Sequence, residues 1–252
     1  MGLESLIQNG VTHTARRIVI YGDPGVGKST ACSELDKNST IFLDCESGTA
    51  NLDVRRIRIN SYRECIDILR EIYKQKDKLN LKHLVIDGLD ALGDMMLLQI
   101  CKDNNAETIE AVQGGYGKGY IIAAEQLRHL LKIFNTFIDM GVDVVLIGHS
   151  CLQHIDEPDD LTGKGYDHYT LYMSNAKKAV PIVTGWADAV LYMTYDKVFV
   201  EAGGKNKAAG NKRVIYTEYS AAHEAKNRYR FPPKIDLTAG VIAKICGNEM
   251  EK

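Results

Sequence analysis

The sequence predicts an α/β fold, a mostly parallel doubly wound sheet with a C-terminal antiparallel hairpin extension, and three observations predict it. Short apolar runs recur along the chain as "RRIVIYGD", "STIFLDCE", "KHLVIDGL", "VDVVLIGH" and "ADAVLYMT". They are continuous rather than alternating, as strands of a parallel sheet covered on both faces must be. Helical periodicity lies between them: Ile66, Leu69, Ile72 and Tyr73 form one stripe within residues 62–76, and Leu127, Leu130, Leu131, Phe134, Phe137 and Ile138 form another within 121–140. Finally, the first run opens directly into a glycine-rich turn, the arrangement of a strand feeding a helix that closes over a phosphate.

That turn is "GDPGVGKST", Gly22, Asp23, Pro24, Gly25, Val26, Gly27, Lys28, Ser29 and Thr30. It satisfies G-x-x-x-x-G-K-[ST], follows an apolar strand and precedes a helical stretch, so it reads as a P-loop and not as a chance glycine-rich turn. Its backbone N–H groups form a phosphate nest, Lys28 reaches the β and γ phosphates of ATP, and the Ser29 hydroxyl can ligate Mg²⁺. The second run ends in Asp44 and Glu46. An acidic residue at the tip of the strand next to the P-loop points toward the γ-phosphate, where Glu46 could polarise water; the alternative is a surface carboxylate at a strand end. The third run ends in Asp87, placed to hold the Mg²⁺ hydration shell across from Ser29. Asp90 reads as a helix N-cap. The fourth ends in His149, either a γ-phosphate sensor or a structural histidine.

Two polar stretches, residues 102–119 and 151–183, are too long for ordinary connections and read as functional or mobile loops. After Trp186 an antiparallel extension with the polar hairpin loop "GGKNKAAGNK" is expected, followed by "EAKNRYRFPP". In an extended strand Lys226, Arg228 and Arg230 would share one face, with Asn227 and Tyr229 on the other; a charged edge strand would explain the same pattern. No linker divides the chain. The expected organisation is a short segment 1–16, a core 17–235 and a tail 236–252.

The 252 residues are 45% hydrophobic and 25% charged with a net charge of −2, which excludes a disordered chain and leaves any nucleic-acid contact to a local basic path. The cysteines, Cys32, Cys45, Cys65, Cys101, Cys151 and Cys246, are scattered without a C-x-x-C pair, the pattern of reduced thiols in an intracellular protein. No signal sequence or membrane-length apolar run is present, so a cytoplasmic location and no membrane partner are expected.

Taken in order, the P-loop, the strand ending in Glu46, the strand ending in Asp87, the strand ending in "IGH", two long loops and "AKNRYRFPP" resemble the RecA core over residues 17–233. The pairing of "IGH" with "KNR" is similar to bacterial RadA, and "YTEYSAAHEAKNRYRFPP" resembles the RecA-like single-strand annealing ATPases of phages, the Sak group. The resemblance implies a phage-encoded, Mg²⁺-dependent ATPase that acts on single-stranded DNA in annealing or recombination within a bacterial host. It implies a homo-oligomer with composite ATP sites, in which Lys226 and Arg228 reach the γ-phosphate of a neighbour. It also aligns the two long loops with DNA-contacting loops. These would offer Tyr116, Lys118 and Tyr120 in the first and Lys164, Tyr166, His168, Tyr169, Lys177 and Lys178 in the second, where Glu157, Asp159 and Asp160 dilute the charge. The sixteen residues ahead of the first strand depart from the long N-terminal hook of RecA, which puts filament formation and full strand exchange in question. A P-loop switch or assembly ATPase acting on a protein partner is the alternative.

Overall fold

Strands that carry apolar residues on both faces have no side to leave wet, so they are driven to the middle of a layered structure. The computed structural model describes residues 7, 14–157, 163–196, 198–202, 205–247 and 249. In it β1 (Arg17–Gly22) leads through the P-loop into α1 (Lys28–Cys32), then β2 (Thr40–Asp44), a short β3 (Arg56–Arg58), α2 (Tyr62–Leu79), β4 (His83–Asp87) and α3 (Leu89–Asp103). A 3-10 segment (Ile109–Gly114) precedes α4 (Lys118–Asp139), β5 (Asp143–Ile155), β6 (Tyr166–Leu171), α5 (Ala176–Trp186) and β7 (Ala189–Tyr195). The chain ends in the hairpin β8 (Val198–Ala202) and β9 (Lys205–Ala209), then β10 (Arg213–Tyr216), β11 (Lys226–Asn227), β12 (Lys234–Asp236) and α6 (Val241–Cys246).

The main sheet has the order β12-β10-β7-β1-β5-β4-β2-β3. The run from β7 to β3 is parallel; β10, β11 and β12 add antiparallel, as does β6 against the far half of β5. The expected fold class is therefore what the chain forms. The order carries one correction: β2 follows the P-loop helix in sequence but is not next to β1, because β5 and β4 lie between them.

Alternation along β1 assigns the two faces. Val19 and Tyr21 join the larger core under α2, α3, α4 and α5, while Ile18 and Ile20 join a second core under α1 and α6. The stripes read from the sequence face the larger core, except that Tyr73 is exposed, with its ring edge-on to Phe137. Ser61 starts α2 by accepting from the Glu64 N–H, while the Glu64 carboxylate accepts from the Asn60 N–H, a reciprocal cap close to the capping box.

The long loops are more ordered than their polarity predicts. Lys118 and Tyr120 belong to the first turn of α4, so the first loop ends two residues earlier than expected. The second is chiefly a hairpin, β5 with β6, followed by α5. Where a polar loop was expected after β7, β8 pairs with β9. The expected boundary after residue 235 falls inside β12, and beyond it Ile242 and Ile245 of α6 are fully buried in the core shared with Ala31 and Cys32 of α1. Ile245→Ala should therefore cost about 2–5 kcal/mol in urea unfolding; a change within about 0.5 kcal/mol, as expected of a surface tail, would detach α6 from the core.

Candidate nucleotide site

The carboxyl ends of β1, β5, β4 and β2 bring the site together. Gly22 is level with His149, Ile147 with Asp87, and Asp87 with Asp44. Residues that sit one or two positions past these ends consequently converge. The cavity they surround has a volume of about 360 Å³ and is lined by Lys28, Ser29, Glu46, Asp87 and His149 together with P-loop backbone.

Gly27 precedes α1 with φ 102°, a conformation that a side chain rarely tolerates. It also leaves room for Arg213 of β10, whose Nη1 lies 2.6 Å from where a Cβ would stand. Lys28 is 7% exposed, and its ammonium donates to the carbonyls of Gly22 (2.8 Å) and Asp23 (3.0 Å). Burial lowers its pKa, opposed by the carboxylates of Asp90, Glu46, Asp87 and Asp23. Asp23 in turn accepts from the Ser150 hydroxyl, which ties the P-loop to β5 just beyond His149.

The Ser29 hydroxyl donates to Asp87 Oδ1 at 2.9 Å, while Asp87 Oδ2 is buried and makes no hydrogen bond among the described residues. Burial raises the Asp87 pKa and the Ser29 bond opposes it. A hydroxyl beside a carboxylate with an unused, buried oxygen is an oxygen donor set suited to Mg²⁺, which is held by one or two protein oxygens and its own waters. Ser29 and Asp87 would hold that ion, and when bound it offsets phosphate charge.

Glu46 reaches the pocket through a gap. Gly88 has φ 95°, and a Cβ there would lie 2.5 Å from Glu46 Cγ. This opening lets Glu46 Oε1 approach within 3.5 Å of His149 Nδ1, although β2 is remote from β1. Burial, then Asp90, pushes the Glu46 pKa up, with His149 pulling it back. Asp44 is committed elsewhere: it accepts from the backbone N–H groups of Glu46, Gly48 and Thr49 and from the Thr49 hydroxyl. Burial raises its pKa, but these bonds prevail and hold it below the ordinary value.

Asp90 is not the N-cap expected of it, since Gly88 occupies that position. From the first turn of α3 its Oδ2 accepts from His149 Nδ1 at 2.8 Å, and its Oδ1 is buried without a hydrogen-bond partner among the described residues. It was overlooked because an Asp so placed fits capping; the available signal was that first-turn side chains of a helix lean back toward its N-terminus, here toward the ends of β4 and β5. Gly88, Ser150 and Arg213 were also missed, and nothing in their local sequence marks them.

The remaining predicted residues lie in two groups. Tyr116 is 98% exposed in the left-handed region, φ 57°, between Gly115 and Gly117. Lys118 donates to the Gln113 carbonyl, and Tyr120 donates to Glu110. A helix of 22 residues is about 33 Å long. Because α4 ends where β5 begins, its start overshoots the carboxyl end of the sheet and brings Tyr116 and Lys118 to the nucleotide side. Tyr166, His168 and Tyr169 are on β6, Lys164 is exposed just before it, and Lys177 and Lys178 are exposed in the first turn of α5. Asp159 and Asp160 lie outside the described residues.

Lys226 and Arg228 are at the other end of the sheet from their own P-loop, since Lys226 is level with Val190 of β7 and Val190 with Val19 of β1. The Lys226 ammonium donates to the carbonyls of Thr184 (2.9 Å), Gly185 (3.1 Å) and Ala187 (2.6 Å), closing the end of α5. Burial, then Arg228, lowers its pKa. The Arg228 side chain is 61% exposed and pairs with Asp188 at 3.1 Å. The expected alternation does not extend to Arg230, whose φ of 58° turns it out of the strand.

A glycine nest with its lysine, a serine–aspartate pair and a second carboxylate beside a histidine, all at the carboxyl ends of a mostly parallel sheet, define a P-loop nucleotide site. The AAA_24 family model, described as an AAA domain, matches residues 14–229, and the chain belongs to that family. No curated protein matches the chain significantly. Among solved structures it is similar to a KaiC-like protein of the hyperthermophilic archaeon Pyrococcus horikoshii, at 15% identity over 81% of this chain and 79% of that one, with a TM-score of 0.41. The cysteines are free, and no helix among the described residues is long and apolar enough to cross a membrane.

The geometry at Gly88 can be tested directly. Gly88→Ala forces a left-handed alanine and displaces Glu46, so turnover should fall about 100-fold while nucleotide affinity is largely kept. Steady-state hydrolysis and titration with a fluorescent ATP analogue separate the two quantities, and unaltered turnover would remove Glu46 from the chemistry.

Proposed function

We propose that the chain is an ATP-dependent single-stranded-DNA-binding ATPase that acts in annealing or recombination and hydrolyses ATP at subunit interfaces. Lys28 and the P-loop amides hold the phosphates. Ser29 and Asp87 support Mg²⁺, and Glu46, its pKa raised by burial and Asp90, takes the proton of the attacking water. His149, held by Asp90 and in reach of Glu46, is the group positioned to register the γ-phosphate.

The observation that carries the reading is the length of β5. It does not stop at His149 but continues to Ile155 and pairs with β6, so the group facing the nucleotide and the aromatic hairpin belong to one strand. Rings connect the same parts: Tyr192 stacks on Tyr21 at 5.1 Å and on Tyr169 at 5.5 Å. Between the hairpin and α5 is a cavity of about 510 Å³ lined by Tyr166, His168, Lys177 and Tyr219 among others, rings and a cation of the kind that stack bases and meet phosphates. Tyr116 and Lys118, just before and at the start of α4, offer a second ring and cation.

Single-stranded DNA should bind more tightly with ATP and Mg²⁺ than without. Tyr116→Ala combined with Lys118→Ala should weaken it about tenfold and lower the salt slope by roughly 0.7, with basal hydrolysis spared. Fluorescence anisotropy over a salt series measures both. DNA affinity and slope equal to wild type would transfer this surface to a protein partner.

In the composite site of this proposal, Arg228 is the more accessible cation, because Lys226 is occupied by the end of α5. Arg228→Ala should bind ATP and hydrolyse it poorly, by about 100-fold or more, since an arginine finger acts on the transition state. Lys28→Ala should be inactive, and mixing it with Arg228→Ala should raise activity above the sum of the two alone. Absence of rescue at every mixing ratio would exclude an action in trans.

A further inference from the structure

At the opposite end of the sheet from the nucleotide pocket, three side chains able to ligate a metal meet where their elements start or stop. His83 is the first residue of β4, Asp143 the first of β5, and Cys246 the last of α6. One donor atom from each, a ring nitrogen, a carboxylate oxygen and Sγ, lies within 4.8 Å of the others. Parallel pairing of β4 with β5 sets His83 level with Asp143, and the packing of α6 on the lower face brings in the thiol.

How the donors are aimed matters more than their proximity. His83 Nδ1 is 3.0 Å from Asp143 Oδ2, close enough for a hydrogen bond, yet this buried nitrogen makes none among the described residues. The two atoms are adjacent without pointing at each other. Ligands around a common centre stand in that relation: metal–nitrogen and metal–oxygen distances of about 2.0–2.2 Å place tetrahedral neighbours roughly 3.3 Å apart with their lone pairs turned inward. Asp143 Oδ1 accepts from the Arg16 backbone N–H at 2.7 Å, which fixes the carboxylate and leaves Oδ2 toward His83, as the outer partners of metal ligands do.

We propose that His83, Asp143 and Cys246 form a binding site for one divalent transition-metal ion, zinc foremost. A sulfur, nitrogen and oxygen donor set suits zinc and disfavours magnesium and calcium, which take oxygen. Three protein ligands leave the fourth position to water. Binding displaces the thiol proton, and the thiolate and carboxylate then set two negative charges against those of the ion and of the buried Arg16 beside Cys246. It would tie α6 to the starts of two central strands, a staple independent of the nucleotide site.

The test uses the full chain with its cysteines reduced and its metals stripped by a chelator. Zinc uptake is followed by competition with a chromophoric indicator, and cobalt(II) is used as a spectroscopic substitute. One zinc per chain is expected, with a thiolate-to-cobalt charge-transfer band in the near ultraviolet. Cys246→Ser should abolish the band, and Cys246→Ser and His83→Ala should each weaken zinc by at least about tenfold, the lower end of what loss of even an outer partner costs. Circular dichroism establishes that both variants are folded. No zinc uptake by wild type would overturn the proposal. So would uptake that survives Cys246→Ser unchanged, since that would place the ion at Glu46, Asp90 and His149, which contain no sulfur.

Discussion

The placement of β5 between β1 and β4 is the constraint on which the nucleotide site depends. Register along three adjacent parallel pairings sets Gly22 level with His149 and, two residues earlier along β5, Ile147 level with Asp87 and Asp44, so side chains at and just past these ends meet. The Ser29–Asp87 bond spans the width of β5. If β5 were elsewhere, Asp87 would adjoin the P-loop strand directly, and neither His149 nor its hairpin would intervene. The apolar pattern of these strands thus serves chemistry only indirectly: it buries them, and burial in register aligns their ends.

This explains what could be read from the sequence. Strand type and direction follow from composition, so the fold class, the P-loop and the Ser29–Asp87 pairing were accessible without coordinates. Neighbour relations were not, because a parallel sheet can be wound in several orders from the same runs. Glu46 was placed at a strand end correctly in sequence, but its strand is remote from β1, and it reaches His149 only because Gly88 has no side chain. Asp90 shows the converse difficulty. Its residue type and position suit a cap equally well, and only the proximity of β5 to α3 makes it the partner of His149.

The polar stretches were misread for a related reason. Polarity and glycine content report solvent exposure, not disorder, and a hairpin that extends past the sheet can leave one face wet while the other packs, as His168, Thr170 and Leu171 of β6 do. The β5–β6 pair is therefore polar while paired in register from Ser150–Leu171 to Ile155–Tyr166. Likewise "AKNRYRFPP" suggested a strand with three cations on one face, whereas the left-handed Arg230 ends the alternation and Lys226 spends its charge on the carbonyls that close α5. Alternation describes where side chains leave the backbone; it does not tell which of them find a partner within the chain.

Charge balance gives the composite-site proposal its physical motive. Lys28 is faced by Asp90, Glu46, Asp87 and Asp23, and the charge of a nucleotide would add to theirs. Among the residues lining the pocket Lys28 is the fixed cation, with His149 already held between Glu46 and Asp90; Arg213 approaches only the Gly27 side of the P-loop. Phosphoryl transfer requires positive charge where the γ-phosphoryl oxygens develop theirs. Arg228 cannot fold back to its own pocket, because β7 and β1 hold it at the opposite end of the sheet. A neighbour related by a head-to-tail contact has no such restriction, since that end of one subunit can face the nucleotide end of the next. The same separation that forbids the residue to act in its own site is what suits it to act in another.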